Sequence, residues 1–147
     1  MAYQHILVPV DGSTTSLAAV KQAAEIAKKF NSKVTALCVL AVDPFVGVEF
    51  FDATEITKDY FAKAKAGAQE TLNHAKELFA QEGVTVETKI AEGQVIYKEI
   101  INAADEVKAD LVVIGSHGRK GLKKLILGSV AQGVLGESHL PVLIIKQ

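Results

Sequence analysis

The sequence predicts an α/β protein, an open sandwich in which a five-stranded parallel sheet carries helices on both faces. Short apolar runs of strand length alternate along the chain with longer segments whose apolar residues repeat at helical spacing. The strand-like runs are rich in β-branched residues, which is typical of strands buried on both faces. With 147 residues the chain has the length of one ordinary domain, so we expect residues 1–147 to form a single unit.

The first half of the chain reads as strand, helix, strand, helix. Residues 5–10 form the first predicted strand, and the turn Asp11-Gly12-Ser13-Thr14 offers capping side chains to the first helix. Residues 33–40 form the second strand, and the helix after it ends near Gly83. Each helix has one predicted inner stripe: Leu17, Val20, Ala24 and Ala27 in the first, and Phe61, Ala64, Ala68, Leu72, Ala75 and Phe79 in the second.

The second half continues the alternation. Residues 84–90 alternate apolar with polar side chains, as an exposed or edge strand does, and residues 94–108 carry apolar residues at helical spacing. Residues 110–114 are a short buried strand. A last helix is predicted to begin at Gly128 or Ser129, with its apolar residues at Val130, Val134 and Leu135, and residues 141–146 form the fifth strand.

Composition narrows the function classes. The 16 basic and 17 acidic residues give a formal net charge of −1, so no global charge attracts nucleic acid or an anionic membrane. Cys38 is the single cysteine, which excludes an internal disulfide and is typical of a reducing compartment. No apolar run approaches the roughly 20 residues of a membrane span, and no signal segment is recognisable. We therefore expect a cytoplasmic protein without membrane insertion.

The most informative motif lies between the fourth strand and the last helix. Gly115-Ser116-His117-Gly118 is followed after nine residues by Gly128-Ser129. Glycines let the backbone approach a ligand closely, and the start of a helix directs unpaired N–H groups and a positive dipole end at the same place. The segment therefore predicts a phosphate-binding loop. It is neither a GxxxxGK[ST] loop nor the GxGxxG turn of dinucleotide-binding folds.

Asp11 is expected to face this loop. In an open parallel sheet the ligand crevice lies where the strand order reverses, beyond the carboxyl ends of the two flanking strands. If the fourth strand returns to the free side of the first, Asp11 and Gly115 lie across one crevice. Asp11 then contacts a base or sugar, or helps to hold a metal near the phosphates, or it serves only to cap or turn the chain before the first helix.

Three stretches together resemble the universal stress protein family over essentially the whole chain. They are Val8-Pro9-Val10-Asp11-Gly12-Ser13, the Gly-x2-Gly-x9-Gly-Ser spacing, and the closing Leu140-Pro141-Val142-Leu143-Ile144-Ile145. The resemblance implies a parallel sheet of order 3-2-1-4-5, a homodimer, and ATP binding in members with the complete glycine motif. Two positions depart from the pattern of many members: Cys38 replaces histidine, and Val95 replaces proline.

The resemblance also implies the roles of individual residues. Asp11 and Val39 would contact adenine, and Gly115 and Gly118 would approach ribose and phosphates. Gly128, Ser129 and Val130 would bind the phosphate tail, with Mg²⁺ as the expected companion of ATP. Ser116 and His117 lie in the same loop and are candidate ligand contacts. No dedicated metal site is predicted, because the histidines are scattered and no Cys/His cluster has ligand spacing.

Catalysis has no clear candidate in the sequence. Ser116 and His117 suggest a nucleophile and base, yet adjacent loop residues do not by themselves form a hydrogen-bonded pair, and no third orienting group is evident. His117 is therefore either a catalytic base or a loop histidine that is exposed or contacts ligand. Residues 41–58 form a long connection with several phenylalanines that either fold back on the core or form a lid or partner surface.

Three functions remain open. The first is a cytoplasmic ATP-binding regulatory protein of stress responses with at most slow ATP hydrolysis. The second is a nucleotide hydrolase or nucleotidyl transferase on a related scaffold. The third is a nucleotide-free dimeric module that binds an unknown protein partner. The apolar run of the last strand either pairs with its copy in a second subunit, which is the dimer that the family resemblance implies, or is covered by a helix.

Overall fold

The computed structural model describes residues 3–41, 54–117 and 127–146, with backbone alone at 54–57. They form nine elements in the predicted alternation. The strands are β1 (His5–Pro9), β2 (Lys33–Ala41), β3 (Val86–Gly93), β4 (Leu111–Gly115) and β5 (Val142–Ile145). The helices are α1 (Thr14–Phe30), α2 (Thr54–Gln81), α3 (Ile96–Val107) and α4 (Ser129–Glu137).

All strand pairs are parallel, and the sheet order is β3-β2-β1-β4-β5. The predicted fold class and strand order are confirmed. β1 lies between β2 and β4, so the order reverses at β1, and β3 and β5 are the edges. The reversal brings the carboxyl ends of β1 and β4 together, as the crevice argument requires.

The two faces of the sheet carry separate apolar clusters. Helices α1 and α2 cover one face and α3 and α4 cover the other. β1 shows how one strand serves both: Ile6 and Val8 point to the α1/α2 side, Leu7 to the α3/α4 side, and all three are fully buried. Cys38 is buried on the α1/α2 side, in agreement with a small core residue.

Helix α1 begins within the predicted capping turn and ends at the C-cap Asn31. Ser13 is the N-cap, and its Oγ accepts from the N–H of Ser16 at 3.2 Å. Asn31 closes the helix in the left-handed conformation, with φ 53°. The predicted stripe is buried at three of its four positions, but Leu17 is only half-buried, because small alanines form the surface that packs on the sheet.

Most boundaries differ from the predictions by one or two residues, and the regions around α2 show the reasons. β3 begins two residues later than expected, because the N–H of Val84 still donates to the carbonyl of Phe79 across the positive-φ Gly83, and so belongs to the end of α2. α2 begins at Thr54, inside the predicted connection 41–58, whose sequence before Phe61 shows no apolar stripe. Residues 42–53 of that connection lie outside the described residues, so its lid or partner role stays a prediction.

Candidate functional site

A cavity of about 460 Å³ lies at the carboxyl ends of β1 and β4, on the side of the sheet covered by α3 and α4. We call it the edge pocket. Its volume falls within the range of typical small-molecule sites, about 300 to 1,000 Å³. Its lining residues come from the strand ends, from α3 and from the start of α4: Pro9, Val10, Asp11, Ser16, Leu37, Val39, Ile96, Ile100, Ile114, Gly115, Ser116, His117, Gly128, Ser129, Val130 and Ala131.

The turn after β1 places a carboxylate at the edge pocket. Asp11 Oδ1 accepts from the N–H of Ser13 at 2.9 Å, and the N–H of Asp11 donates to Ser16 Oγ at 3.4 Å. These bonds fix the turn that leads into α1. Asp11 thus has the turn-forming role and also lines the cavity, so the two alternatives from the sequence are compatible.

Gly115 marks a close approach between β4 and α1. A Cβ built on Gly115 would lie 2.9 Å from the backbone carbon of Thr15 and 3.0 Å from its Cβ. Real side chains do not pack that closely, so a larger residue would force strand and helix apart. The glycine therefore has a packing reason of its own, in addition to its place at the edge pocket.

Ser116 and His117 form a hydrogen-bonded pair, which corrects the expectation from their adjacency. Ser116 Oγ lies 2.9 Å from His117 Nδ1, and the Thr15 hydroxyl donates to the His117 carbonyl at 2.6 Å. The pair forms because α1 holds the loop backbone while the N–H of Ser116 donates to the Ile145 carbonyl at 2.8 Å. His117 Nε2 is buried and meets no described partner, so the third orienting group of a catalytic triad is absent from the described residues.

Helix α4 directs its first turn at the cavity. The N–H of Gly128 donates to the Ser116 carbonyl at 2.7 Å, and the first helical bond runs from Gln132 N to Gly128 O at 3.0 Å. The N–H groups of Ser129, Val130 and Ala131 precede that bond, and no acceptor in the described part of the chain meets them. A helix start of this kind attracts an anion.

The far side of the edge pocket is apolar and has backbone groups available. Val10 N donates to the Leu37 carbonyl at 2.8 Å, which is the last rung between β1 and β2. Val39 lies two residues further along β2, so its N–H and C=O face the same side, beyond the end of β1. Within the described ranges no residue pairs with them there. Leu37, Ile96 and Ile100 form the apolar wall beside this edge.

Helices α3 and α4, which frame the cavity, contact each other through a glycine. A Cβ on Gly133 would lie 2.3 Å from Cγ of the Tyr97 ring, so the ring packs directly on the α4 backbone. The Tyr97 hydroxyl also bonds to Glu137, and this hydrogen bond, with burial and the negative charge of Glu137, raises the pKa of Tyr97. These contacts set the distance between the two helices and hence the width of the edge pocket.

The structure brings together eight of the nine predicted site residues: Asp11, Val39, Gly115, Ser116, His117, Gly128, Ser129 and Val130 all line the cavity. Gly118 lies outside the described residues. The apolar wall of Leu37, Ile96 and Ile100 was not predicted from the sequence. Its signal was present as helical spacing in α3, but spacing alone does not tell which part of an inner stripe extends past the end of the sheet.

No group of three or more His, Cys, Asp or Glu side chains in the described residues is arranged to hold a metal ion. None of the helices in the described ranges has the length and apolarity required to cross a membrane.

Comparison with known proteins gives one family. The model of the universal stress protein family matches residues 2–146. The Universal stress protein MJ0531 of Methanocaldococcus jannaschii is 40% identical over 145 residues, covering 99% of this chain and 83% of that protein.

Solved structures agree with this comparison. The hypothetical protein MJ0577 superposes with a TM-score of 0.86 at 28% identity, covering 100% of this chain and 98% of that one. A universal stress protein in complex with cAMP has a TM-score of 0.71 at 29% identity, covering 99% and 98% of the two chains. The universal stress protein from Archaeoglobus fulgidus in complex with dAMP has a TM-score of 0.71 at 28% identity, covering 99% and 100%.

Proposed function

The chain belongs to the universal stress protein family, and from that membership and the geometry of the edge pocket we propose that it is a regulatory protein that binds ATP there. The single observation that carries the proposal is the polarity of the cavity. An apolar wall with backbone groups lies at one side, and at the other a helix start whose N–H groups meet no acceptor among the described residues. A nucleotide has the same division into a flat base and an anionic tail.

The base is expected at Val39. Its N–H and C=O lie next to each other at the open edge of β2, and adenine offers an acceptor and a donor side by side. Leu37 and Ile100 supply apolar surface against the ring. Relatives of known structure hold cAMP and dAMP, which carry the same base.

The phosphates are expected at the start of α4. Each N–H bond to an anion is modest, and the helix dipole contributes only about 0.3 to 1 kcal/mol, so binding relies on the sum of several donors. Ser129 adds a hydroxyl, Gly115 lines the same cavity, and Gly118 is proposed as a phosphate contact on the family resemblance alone. Mg²⁺ usually coordinates the phosphates themselves with few protein ligands. Asp11 is the carboxylate among the described lining residues that fits this role.

We propose that the protein acts in the cytoplasm and forms a homodimer. β5 is an edge strand, and Leu143 on it is 37% exposed. Pairing of β5 with its copy would cover this edge, because open apolar edges otherwise recruit other chains. The regulatory output is expected to depend on which nucleotide is bound. ATP hydrolysis, if measured, is expected to be slow, because no described group orients His117 as a base.

A nucleotide titration followed by thermal unfolding tests the proposal. At a hundredfold excess over Kd, ATP should stabilise the stripped protein by about 2.7 kcal/mol, a rise in Tm of about 5 to 10 °C. The variant Ser129→Glu places a carboxylate at the exposed first position of α4, where it repels phosphate but suits the helix dipole. The variant should therefore fold normally and lose the shift with ATP.

Gly136→Glu is the matched control. It adds the same charge to the same helix at a position with nothing within 4 Å of a Cβ, away from the cavity lining. It should keep the ATP shift. Absence of any shift with ATP, ADP, AMP or GTP in the unmodified protein would overturn the proposal. It would favour the nucleotide-free module, with β5 and the connection 41–58 as the surfaces to examine.

A further inference from the structure

His117 is held at two points beside the edge pocket. Its carbonyl accepts from the Thr15 hydroxyl at 2.6 Å, and its Nδ1 lies 2.9 Å from Ser116 Oγ. His117 is among the residues that line the cavity, and the neighbouring Ser116 is 98% buried. Thr15 of α1 thus holds the backbone of His117 and Ser116 holds its ring, so Nε2 is the ring nitrogen that has no partner among the described residues.

Nε2 of His117 stands out among buried polar atoms. Of the side-chain nitrogens and oxygens in the described ranges, it is the one that is buried and has no hydrogen-bond partner. A buried polar atom without a partner is unfavourable, and such atoms in native proteins usually have a ligand, an ion or a functional reason. Because His117 lines the edge pocket, the missing partner is expected to arrive with the ligand.

The Ser116 hydroxyl decides whether Nε2 is a donor or an acceptor. A neutral imidazole carries one proton, on Nδ1 or on Nε2. If Nδ1 donated to Ser116 Oγ, the hydroxyl proton and the Nε2 lone pair would both lack partners. If the hydroxyl donates to Nδ1, the proton resides on Nε2 and only that N–H is unmatched. The second arrangement leaves fewer unsatisfied groups, so the ring presents an Nε2–H donor.

We propose that the Nε2–H of His117 donates a hydrogen bond to a phosphate oxygen of the bound nucleotide, and that Ser116 is the positioning residue that keeps the proton on Nε2. The inference rests on the proposed function and adds to it the atom and the ligand group. A donor pairs only with an acceptor, and anionic phosphate oxygens are stronger acceptors than ribose hydroxyls. The N–H groups at the start of α4 line the same cavity and attract the same charge.

Affinity measurements with two ligands test the assignment. Binding of ATP and of adenosine is measured by competition with a labelled nucleotide, in the unmodified protein and in His117→Leu and His117→Gln. Loss of a charge-assisted bond should weaken ATP binding by about tenfold or more in His117→Leu. Adenosine binding should be unchanged because it has no phosphate. His117→Gln should recover part of the affinity, since its amide N–H can replace Nε2–H.

The control and the outcomes separate this inference from the proposed function. His74→Gln removes an exposed histidine of α2 outside the cavity lining and should leave both affinities unchanged. If the unmodified protein binds no ATP, the proposed function itself fails. If it binds ATP but His117→Leu binds ATP equally well, or loses adenosine to the same extent, the phosphate contact is wrong.

A spectroscopic measurement detects the tautomer directly. In ¹⁵N-labelled protein, the ring nitrogens of His117 should show the proton on Nε2, and the Nε2 signal should move on addition of ATP but not of adenosine. Ser116→Ala removes the hydroxyl that fixes the proton and should mix the two tautomers. A proton on Nδ1 in the unmodified protein would contradict the assignment, whatever the affinities are.

Discussion

The two ends of the sheet use their polar groups in opposite ways. At the amino ends of the strands, the Asp110 carboxylate accepts from the N–H groups of Gln4 at 2.8 Å and His5 at 3.0 Å, and His5 Nε2 lies 2.7 Å from Thr35 Oγ1. At the carboxyl ends, the first N–H groups of α4 and His117 Nε2 have no described partner. We therefore call the amino end of the sheet the closed end, because its polar groups bond to each other. The carboxyl end has donors that no described residue pairs with, as expected of a binding site.

Polar groups that stabilise this fold are thus separated from those that are free to bind. Polar groups that satisfy each other stabilise the chain and recognise nothing else. Groups left unpaired cost stability in the free protein and gain partners only when a ligand binds. Substitutions at the two ends should therefore divide into those that change unfolding and those that change binding.

A substitution at Gly115 should change both the free energy of unfolding and ligand binding, and we expect the largest effect there. The variant Gly115→Ala puts a methyl group 2.9 Å from the Thr15 backbone, so strand and helix must move apart. Overpacking against backbone should lower the free energy of unfolding by about 2 to 3 kcal/mol, measured in urea. The movement also displaces the loop that lines the edge pocket, so ATP affinity should fall together with stability.

Gly67→Ala is the control for that variant. A Cβ on Gly67 in α2 meets nothing within 4 Å, so the change removes only the helix cost of glycine and should stabilise by roughly 0.5 to 1 kcal/mol. If Gly115→Ala is as stable as the unmodified protein, the close approach of β4 to α1 is not a constraint on the fold.

A substitution at Asp110 should change the free energy of unfolding but not ligand binding. In Asp110→Ala two N–H groups of the chain before and in β1 lose their acceptor, one exposed and one partly buried. We expect a loss of about 2 kcal/mol in the free energy of unfolding. ATP affinity should stay within about twofold, because Asp110 lies at the end of the sheet opposite the edge pocket. A loss of affinity by an order of magnitude would show that the two ends are coupled.

The same contrast explains what the sequence could and could not predict. The strand order and the position of the crevice follow from regular patterns and from the resemblance to a family, because β-branched runs and helical stripes report burial directly. The bond between Ser116 and His117 did not follow, since it depends on Thr15 holding the loop from another element. The apolar wall was not predicted because Ile96 and Ile100 belong to the same apolar stripe of α3 that packs on the core. Helical spacing does not distinguish core residues from cavity residues.

The glycines show the same limit, because the sequence does not tell which structural reason requires glycine at a given position. Gly83 adopts φ 74° at the end of α2, a conformation that favours glycine, and the sequence predicted that end. Gly115 is required by the closeness of Thr15, which no local pattern reveals. Gly128 has φ −59°, a value open to any residue, so its backbone conformation does not require glycine.

The smallest expected effect concerns His5 at the closed end. Burial lowers the pKa of His5, and Lys33 adds to this, whereas Glu87 and Asp110 oppose it. The folded chain therefore takes up a proton less readily than the unfolded chain, whose histidine has the ordinary value of 6.5. The stability from neutral His5 is fully present above that value and is lost as the pH falls below it toward the lower pKa of the folded state.

Urea unfolding between pH 7.5 and 5 measures this contribution. The unmodified protein should lose more stability on acidification than His5→Gln, whose amide can still bond to Thr35 but takes up no proton. His74→Gln, at an exposed position of α2, should follow the unmodified curve. Parallel curves for His5→Gln and the unmodified protein would mean that burial at the amino end leaves His5 free to charge. The closed end would then be more accessible to water than its hydrogen bonds indicate. The two ends of the sheet would differ only in the donors at the edge pocket that have no described partner.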